Sequence, residues 1–102
     1  MESYAIKGVV ITGTALIDFG SGLGSIDTSV VVTGQVNIKA GSCVQAWLAP
    51  ANTADNNIDE HLWEDISVTA YQVVAGVGFT IYAKSRNTRL SGTYNVAWLW
   101  VR

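Results

Sequence analysis

The sequence consists of short runs of β-branched and aromatic residues that are separated by glycine rather than by proline. Valine, isoleucine and threonine together make up 30 of the 102 residues, and the chain has ten glycines but one proline. Such residues favour extended strands over helices. No segment repeats its apolar residues at helical spacing over three turns. The pattern therefore predicts an all-β fold, an antiparallel β-sandwich of jelly-roll type, with residues 1–102 as one domain.

The turn residues divide this predicted sandwich into strands. Glycine-rich segments, above all Gly20–Gly24, are expected to be loops, because an ordered strand is costly there. A long polar connection over residues 51–65 is expected to contain a single helical turn at residues 59–63. The strands are predicted at residues 4–10, 11–19, 26–33, 43–48, 66–74, 79–84 and 93–101.

The last predicted strand is apolar on both faces. Tyr94, Val96, Trp98 and Trp100 alternate with Asn95, Ala97, Leu99 and Val101, and the alternate residues of a strand point to opposite sides. An isolated sandwich should instead alternate apolar and polar residues. With 49% hydrophobic and 14% charged residues, the chain is predicted to cover its second face with further copies of itself. The alternative is that Trp98 and Trp100 pack within the core of one chain.

This reasoning gives two groups of interface candidates. Aromatic residues of the two-faced strands form the first group, and charged or polar residues that could fix the register between copies form the second. In the second group, Glu60, Glu64 or Asp65 is expected to pair with an arginine across the interface. The candidates are Trp47, Tyr94, Trp98 and Trp100 in the first group and Glu60, His61, Arg86 and Arg89 in the second.

Charge and targeting signals limit the possible partners. Six basic residues against eight acidic ones give no basic surplus for nucleic acid. No run approaches the roughly 20 apolar residues of a membrane span, and residues 1–4 lack the features of a signal peptide. The single cysteine, Cys43, cannot form an internal disulfide. Synthesis in the cytoplasm, with neither nucleic acid nor membrane as a partner, is therefore expected.

The polar connection over residues 51–65 holds five of the eight acidic residues. Its oxygen ligands are dense enough for calcium, but the order of residues is not that of an EF-hand, and His61 has no second histidine for a zinc motif. A glycoside hydrolase would require a buried acid pair, for which Asp59 and Glu60 are the candidates. We expect a solvated loop whose acids bond backbone amides or arginines, and no enzyme activity, metal or cofactor.

Aromatic residues allow a further interpretation. The apolar faces of sugar rings stack on aromatic side chains, so Trp63, Tyr71, Tyr82 and Tyr94 are candidates for an exposed sugar-binding platform. The alternative for these residues is ordinary packing in the core.

Several short strings resemble small structural proteins of tailed bacteriophages. The likeness extends over most of the chain from about residue 12, at residues 31–35, 40–48, 53–55, 59–61, 76–83 and 94–100. It implies a component of the virion, and such small β-proteins are commonly trimers. The resulting expectation is a capsid decoration or cement protein that forms a homotrimer and contacts a capsid or tail protein. The alternative is a tail-fibre module that binds a receptor or a glycan.

Overall fold

The computed structural model describes residues 10–102, which form six strands and one short helix. The predicted all-β class is confirmed, and so is the helical turn. The strand predicted over residues 4–10 lies outside the described residues except for its last residue. The elements are β1 (Val10–Asp18), β2 (Asp27–Val32), β3 (Cys43–Leu48), α1 (Ile58–Trp63), β4 (Ile66–Val74), β5 (Gly78–Ser85) and β6 (Thr93–Val101).

The strands form two antiparallel sheets of three strands each. β6 lies at the centre of the first sheet, between β1 and β3, and β5 lies at the centre of the second, between β2 and β4. Consecutive strands alternate between the sheets except for β4 and β5, which are neighbours. At the sheet margins β1 runs beside β2, and β3 runs beside β4.

The core lies between the two central strands. Phe79 of β5 and Trp98 of β6 meet edge to face, with ring centroids 5.4 Å apart, which is a favourable aromatic geometry. The inward-facing residues of β6 are the alternate set that includes Tyr94 and Trp100. The buried apolar residues are Ile17, Phe19, Ile38, Phe79, Ile81, Ala83, Leu90, Tyr94, Val96, Trp98 and Trp100.

Two of these indoles depend on particular neighbours. Trp98 lies opposite Gly13 of β1, where an added Cβ would come within 2.3 Å of an atom of the indole ring. Trp100 donates its indole N–H to the side-chain oxygen of Gln35 at 2.8 Å. The loop over residues 33–42 that carries Gln35 also buries Ile38 and so covers one end of the core.

The opposite end is closed by the loops that follow β1 and β5. Ser25 and Leu90 exchange backbone hydrogen bonds of 2.9 Å as an isolated bridge, and Phe19 donates its amide to Gly92. The close approach depends on Gly24, whose φ is +68° and whose added Cβ would lie 1.8 Å from the carbonyl oxygen of Leu90.

No helix in the described part of the chain has the length and apolar character needed to cross a bilayer.

Replacement of Gly24 by alanine tests this loop closure. Gly22 provides a matched control, because its φ of +64° is nearly the same but nothing lies within 4 Å of its added Cβ. Both variants incur about 1–2 kcal/mol for a left-handed alanine. Gly24→Ala should lose about 1–3 kcal/mol more, since the backbone of residue 90 must move. Equal losses for the two variants in urea unfolding would contradict the proposed contact.

Candidate functional site

The polar connection over residues 51–65 bonds the start of β6, which extends beyond the last residue of β3. Leu48, the last residue of β3, pairs with Val96, whereas β6 already begins at Thr93. The backbone groups of residues 93–95 on that side therefore have no partner in β3. The backbone of residue 49 and side chains of the connection bond them instead, and we call this arrangement the β6 clamp. Its members are Ala49, Thr53, Asp55, Asn56 and His61.

His61 is the buried centre of the β6 clamp, with 1% of its surface exposed. Its Nε2 accepts the backbone N–H of Asn95 at 2.8 Å. Its Nδ1 lies 2.8 Å from the carbonyl oxygen of Asn57. Because Nε2 is an acceptor, the proton is assigned to Nδ1, and the ring is a neutral imidazole with both nitrogens bonded. Its contact with the ring of Tyr94, at 4.9 Å, joins the clamp to the core.

Thr93 is held from three directions. The carboxylate of Asp55 accepts its backbone N–H at 3.0 Å and its hydroxyl at 2.9 Å. The hydroxyl of Thr53 and the side-chain amide of Asn56 donate to its carbonyl oxygen at 2.8 and 2.9 Å. This fits the expectation that acids of the loop bond backbone amides.

Another acid of this segment, Glu60, stabilises the start of α1. The side-chain oxygen of Asn57 accepts the amide of Glu60 at 2.9 Å, and the Glu60 carboxylate accepts the amide of Asn57 at 2.8 Å. This reciprocal pair is a capping box. Asp59 is exposed, and no carboxylate in residues 10–102 is buried. The buried acid pair required by the hydrolase hypothesis is therefore not found at Asp59 and Glu60.

No group of three or more histidine, cysteine, aspartate or glutamate side chains that could hold a metal ion occurs within residues 10–102. The polar connection therefore contains no such cluster for calcium. The side chains of Asp55 and Asn56, which could supply oxygen ligands, are instead hydrogen-bonded to β6.

Four of the eight interface candidates are enclosed by their own chain. Tyr94, Trp98, Trp100 and His61 are each at most 6% exposed. Tyr94, Trp98 and Trp100 face the core. For the two tryptophans this is the alternative to an interface, namely packing within the core of one chain. These four side chains are therefore removed from the candidate interface. Trp47, on the outward face of β3, keeps 43% of its surface exposed.

The charged candidates make contacts within one chain. The Nε of Arg86 lies 3.9 Å from a carboxylate oxygen of Asp65, and both side chains are more than half exposed. Arg89 donates to the carbonyl oxygen of Gly24 at 3.3 Å. An exposed pair of this length contributes little to stability. Pairing of acids with arginines was expected between copies, and the observed pair of Asp65 with Arg86 joins two loops of the same copy.

The outer face of the β1–β6–β3 sheet is nearly free of charge. Residues that pair across an antiparallel sheet point to the same side, so the registers define this surface, which we call the neutral face. Asp18, at one corner, is its one charged residue. The other members are Val10, Thr12, Thr14, Leu16, Cys43, Gln45, Trp47, Thr93, Asn95, Ala97, Leu99 and Val101.

An aromatic groove crosses the outer face of the second sheet. Thr69, Tyr71 and Tyr82 line a depression of about 340 Å³. The hydroxyl of Tyr82 donates to the carboxylate of Asp27 at 2.8 Å. That hydrogen bond, then burial and the charge of Asp27, raise the pKa of Tyr82 above its usual value. Two of the four candidate platform residues, Tyr71 and Tyr82, are thus brought together.

The other two platform candidates lie elsewhere. Tyr94 is in the core, where burial and then the charges of Glu64 and Glu60 raise the pKa of its phenol. Trp63 is 77% exposed at the end of α1, outside the sheet that carries the groove.

A polar cleft of about 540 Å³ at one end of the sandwich was not anticipated. It is lined by Asp18, Asp55 and the glycine-rich segments at residues 20–22 and 91–92. Oδ1 of Asp18 accepts the amide of Gly20 at 2.8 Å, and Oδ2 of Asp55 is held by Thr93. No local motif joins the two acids, which are 37 positions apart in the sequence.

No protein-family model, curated protein or solved structure matches the chain. Function must therefore be inferred from the residues and surfaces described above.

Replacement of His61 by alanine tests the β6 clamp. The change removes a buried ring and leaves the backbone N–H of Asn95 without its acceptor, so the free energy of unfolding should fall by about 2–4 kcal/mol. Leu62→Ala is the matched control on the same helix. Leu62 is 64% exposed, and its loss should cost less than about 0.5 kcal/mol. Similar effects of both changes in thermal and urea unfolding would contradict the clamp.

Proposed function

We propose that the chain is a structural protein of a bacteriophage particle, a capsid decoration or cement protein that forms a homotrimer. The observation that carries this proposal is the neutral face of the β1–β6–β3 sheet. The trimer and the virion location rest on the resemblance described above. Three of the sequence strings that carry this resemblance, at residues 40–48, 76–83 and 94–100, include most of β3, β5 and β6.

The neutral face has the composition of a contact between copies. Val10, Leu16 and Trp47 are 60%, 54% and 43% exposed, and they share one surface with Ala97 and Leu99 of β6. Exposed apolar side chains that share one surface commonly mark an interaction site. Interfaces between identical subunits are more apolar than ordinary surface. A face with one corner charge suits permanent association between copies better than steering by charge.

The strand order supports a jelly-roll relationship. A jelly roll has eight strands in two facing sheets, and it can be described as one long hairpin rolled around a barrel. The pairing of β1 with β6 and of β2 with β5, with β3 beside β4, follows that scheme for six strands. We propose that the fold is a jelly roll shortened by the two strands that would follow β4.

The charged loops provide the second surface that a cement protein needs. Asp59, Asp65 and Arg86 lie in or beside the connection around α1 and the loop after β5, outside the three strands that form the neutral face. In this proposal the sheet face joins the copies, while the polar loops contact a capsid or tail protein.

A glutamate at Trp47 tests the role of the neutral face. Trp47→Glu introduces a charge into the proposed contact, whereas Val31→Glu, at a position 62% exposed on the other sheet, introduces one elsewhere. Trp47→Glu should weaken assembly at least about tenfold, the effect expected for a central interface residue.

Light scattering after gel filtration measures this change, and circular dichroism checks the fold. A wild-type chain that is monomeric at micromolar concentration would overturn the trimer. Association that is unchanged in Trp47→Glu, or equally weakened in Val31→Glu, would exclude the neutral face. Many copies per purified particle on a quantitative gel would support a decoration protein.

The aromatic groove favours a second candidate function, a receptor- or carbohydrate-binding module of a tail fibre. Tyr71 is 47% exposed, and Tyr82 is held in place by its hydrogen bond to Asp27. The groove lining therefore combines two tyrosine rings, as a stacking surface, with the hydroxyl-bearing side chain of Thr69 as a polar partner. The groove is therefore suited to a sugar ring.

Glycan binding provides the test of this second candidate. If the groove binds a sugar, a labelled full-length chain should bind a subset of an array, and Tyr71→Ala should weaken that binding by about tenfold. The control is Val77→Ala, at a turn residue that is 44% exposed and does not line the groove. Absence of any bound glycan, or equal weakening by both variants, would overturn this function.

A further inference from the structure

The short helix α1 exposes three large apolar side chains. Ile58, Leu62 and Trp63 are 42%, 64% and 77% exposed. All three belong to the six residues of α1, and we call them the helix patch. Single exposed apolar residues are normal on a protein surface. Three that share one short helix favour an interaction site.

An exposed acid lies beside the helix patch. Asp59 precedes Leu62 by three residues and Trp63 by four, and residues at these spacings are neighbours on a helix surface. Asp59 is itself exposed, so a partner that covers Leu62 and Trp63 also takes its carboxylate out of water. Burial of a charge is costly unless an opposite charge is paired with it. The surface that covers the patch must therefore supply a lysine or arginine beside an apolar pocket.

The charge around the helix patch is predominantly negative. Four of the eight acidic residues of the chain are Asp59, Glu60, Glu64 and Asp65, and Arg86 lies near the last of them at 3.9 Å. Two identical patches that faced each other would bring like charges together, which is unfavourable. The charges therefore favour a basic surface of another protein over the same patch of a second copy.

α1 is held against the sandwich before any partner binds. His61 projects from the same helix, is 1% exposed, and accepts the backbone N–H of Asn95 at 2.8 Å. Its other ring nitrogen lies 2.8 Å from the carbonyl oxygen of Asn57, and the capping box fixes the first turn. An element that is already ordered loses less conformational entropy on binding. The helix patch is thus a preformed anchor.

We propose that the helix patch docks the chain onto the capsid or tail protein that carries it. Trp63 and Leu62 enter an apolar pocket of that protein, and a lysine or arginine at the rim of the pocket pairs with Asp59. Tryptophan is enriched among the residues that dominate binding energy. The inference rests on the proposed structural function and names the element that contacts the particle. α1 lies outside the three strands that form the neutral face.

Binding to particles that lack the chain tests this docking. Particles from a phage whose gene for this chain is deleted are mixed with the purified full-length chain and pelleted. A quantitative gel then gives the bound copies across a range of concentrations. Trp63→Ala should raise the dissociation constant at least about tenfold, as expected for a central anchor.

The matched control is Val36→Ala, which should leave binding unchanged. Val36 is 75% exposed and lies in the loop whose Gln35 bonds Trp100, near the other end of β6. Circular dichroism checks the fold of each variant. Leu62→Ala removes a second side chain of the helix patch and serves as the test if Trp63→Ala fails to fold.

Neutralisation of Asp59 tests the charged rim in the same assay. Asp59→Asn should weaken binding at least about tenfold, because the lysine or arginine of the partner would be left unpaired in the contact. Asn37→Lys, at an exposed loop position, changes the net charge of the chain by the same amount and should leave binding unchanged. Equal weakening by both changes would indicate attraction by net charge and would overturn the pairing at Asp59.

The outcomes separate this docking from the proposed function. If the wild-type chain binds the particles and Trp63→Ala binds equally well, the docking alone is overturned. If the wild-type chain does not bind, the docking and the decoration role are both overturned. If Trp63→Ala instead dissociates a wild-type oligomer in light scattering, the patch contacts a second copy, and docking on the particle is overturned.

Discussion

The central strand β6 is the element on which the other parts of the structure depend. β1 and β3 pair with its two edges, β5 packs against its inner face through Phe79 and Trp98, and the polar connection bonds the residues that β3 leaves free. A strand in this position must be apolar on its inner side and fully hydrogen-bonded at both edges. His61 satisfies the second requirement at Asn95, where no strand is present to do so.

The elements themselves could be predicted from the sequence because their signals are local. The bounds of β3, β4 and β6 agree with the prediction, since each run ends at a glycine, a proline or a polar segment. The turn of α1 was also foreseen. The face that each strand buries was harder to assign. Trp98 and Trp100 were candidates for an interface, because a strand with two apolar faces does not reveal which face meets the core.

Contacts between distant residues could not be predicted. His61 and Asn95 are 34 positions apart, and Asp18 and Asp55 are brought to one cleft only by the pairing of β1 with β6. Nothing in the sequence near His61 indicates an acceptor for a strand amide, because the need arises from the early end of β3. The aromatic groove was foreseen in part, since its two tyrosines come from β4 and β5, which are neighbours in both sequence and space.

The placement of the few charges connects the fold to its proposed assembly. Of the five acids in residues 51–65, Asp55 bonds β6 and Glu60 caps α1, while β3 and β4 have none. Charge is therefore concentrated in loops: the neutral face carries a single charge, Asp18, at one corner, and the edge strands β3 and β4 carry none. Exposed neutral strand edges promote association with other chains, so this arrangement would be a liability for an isolated domain. A stable partner on these surfaces would remove that liability, and in the proposed homo-oligomer identical copies would be that partner.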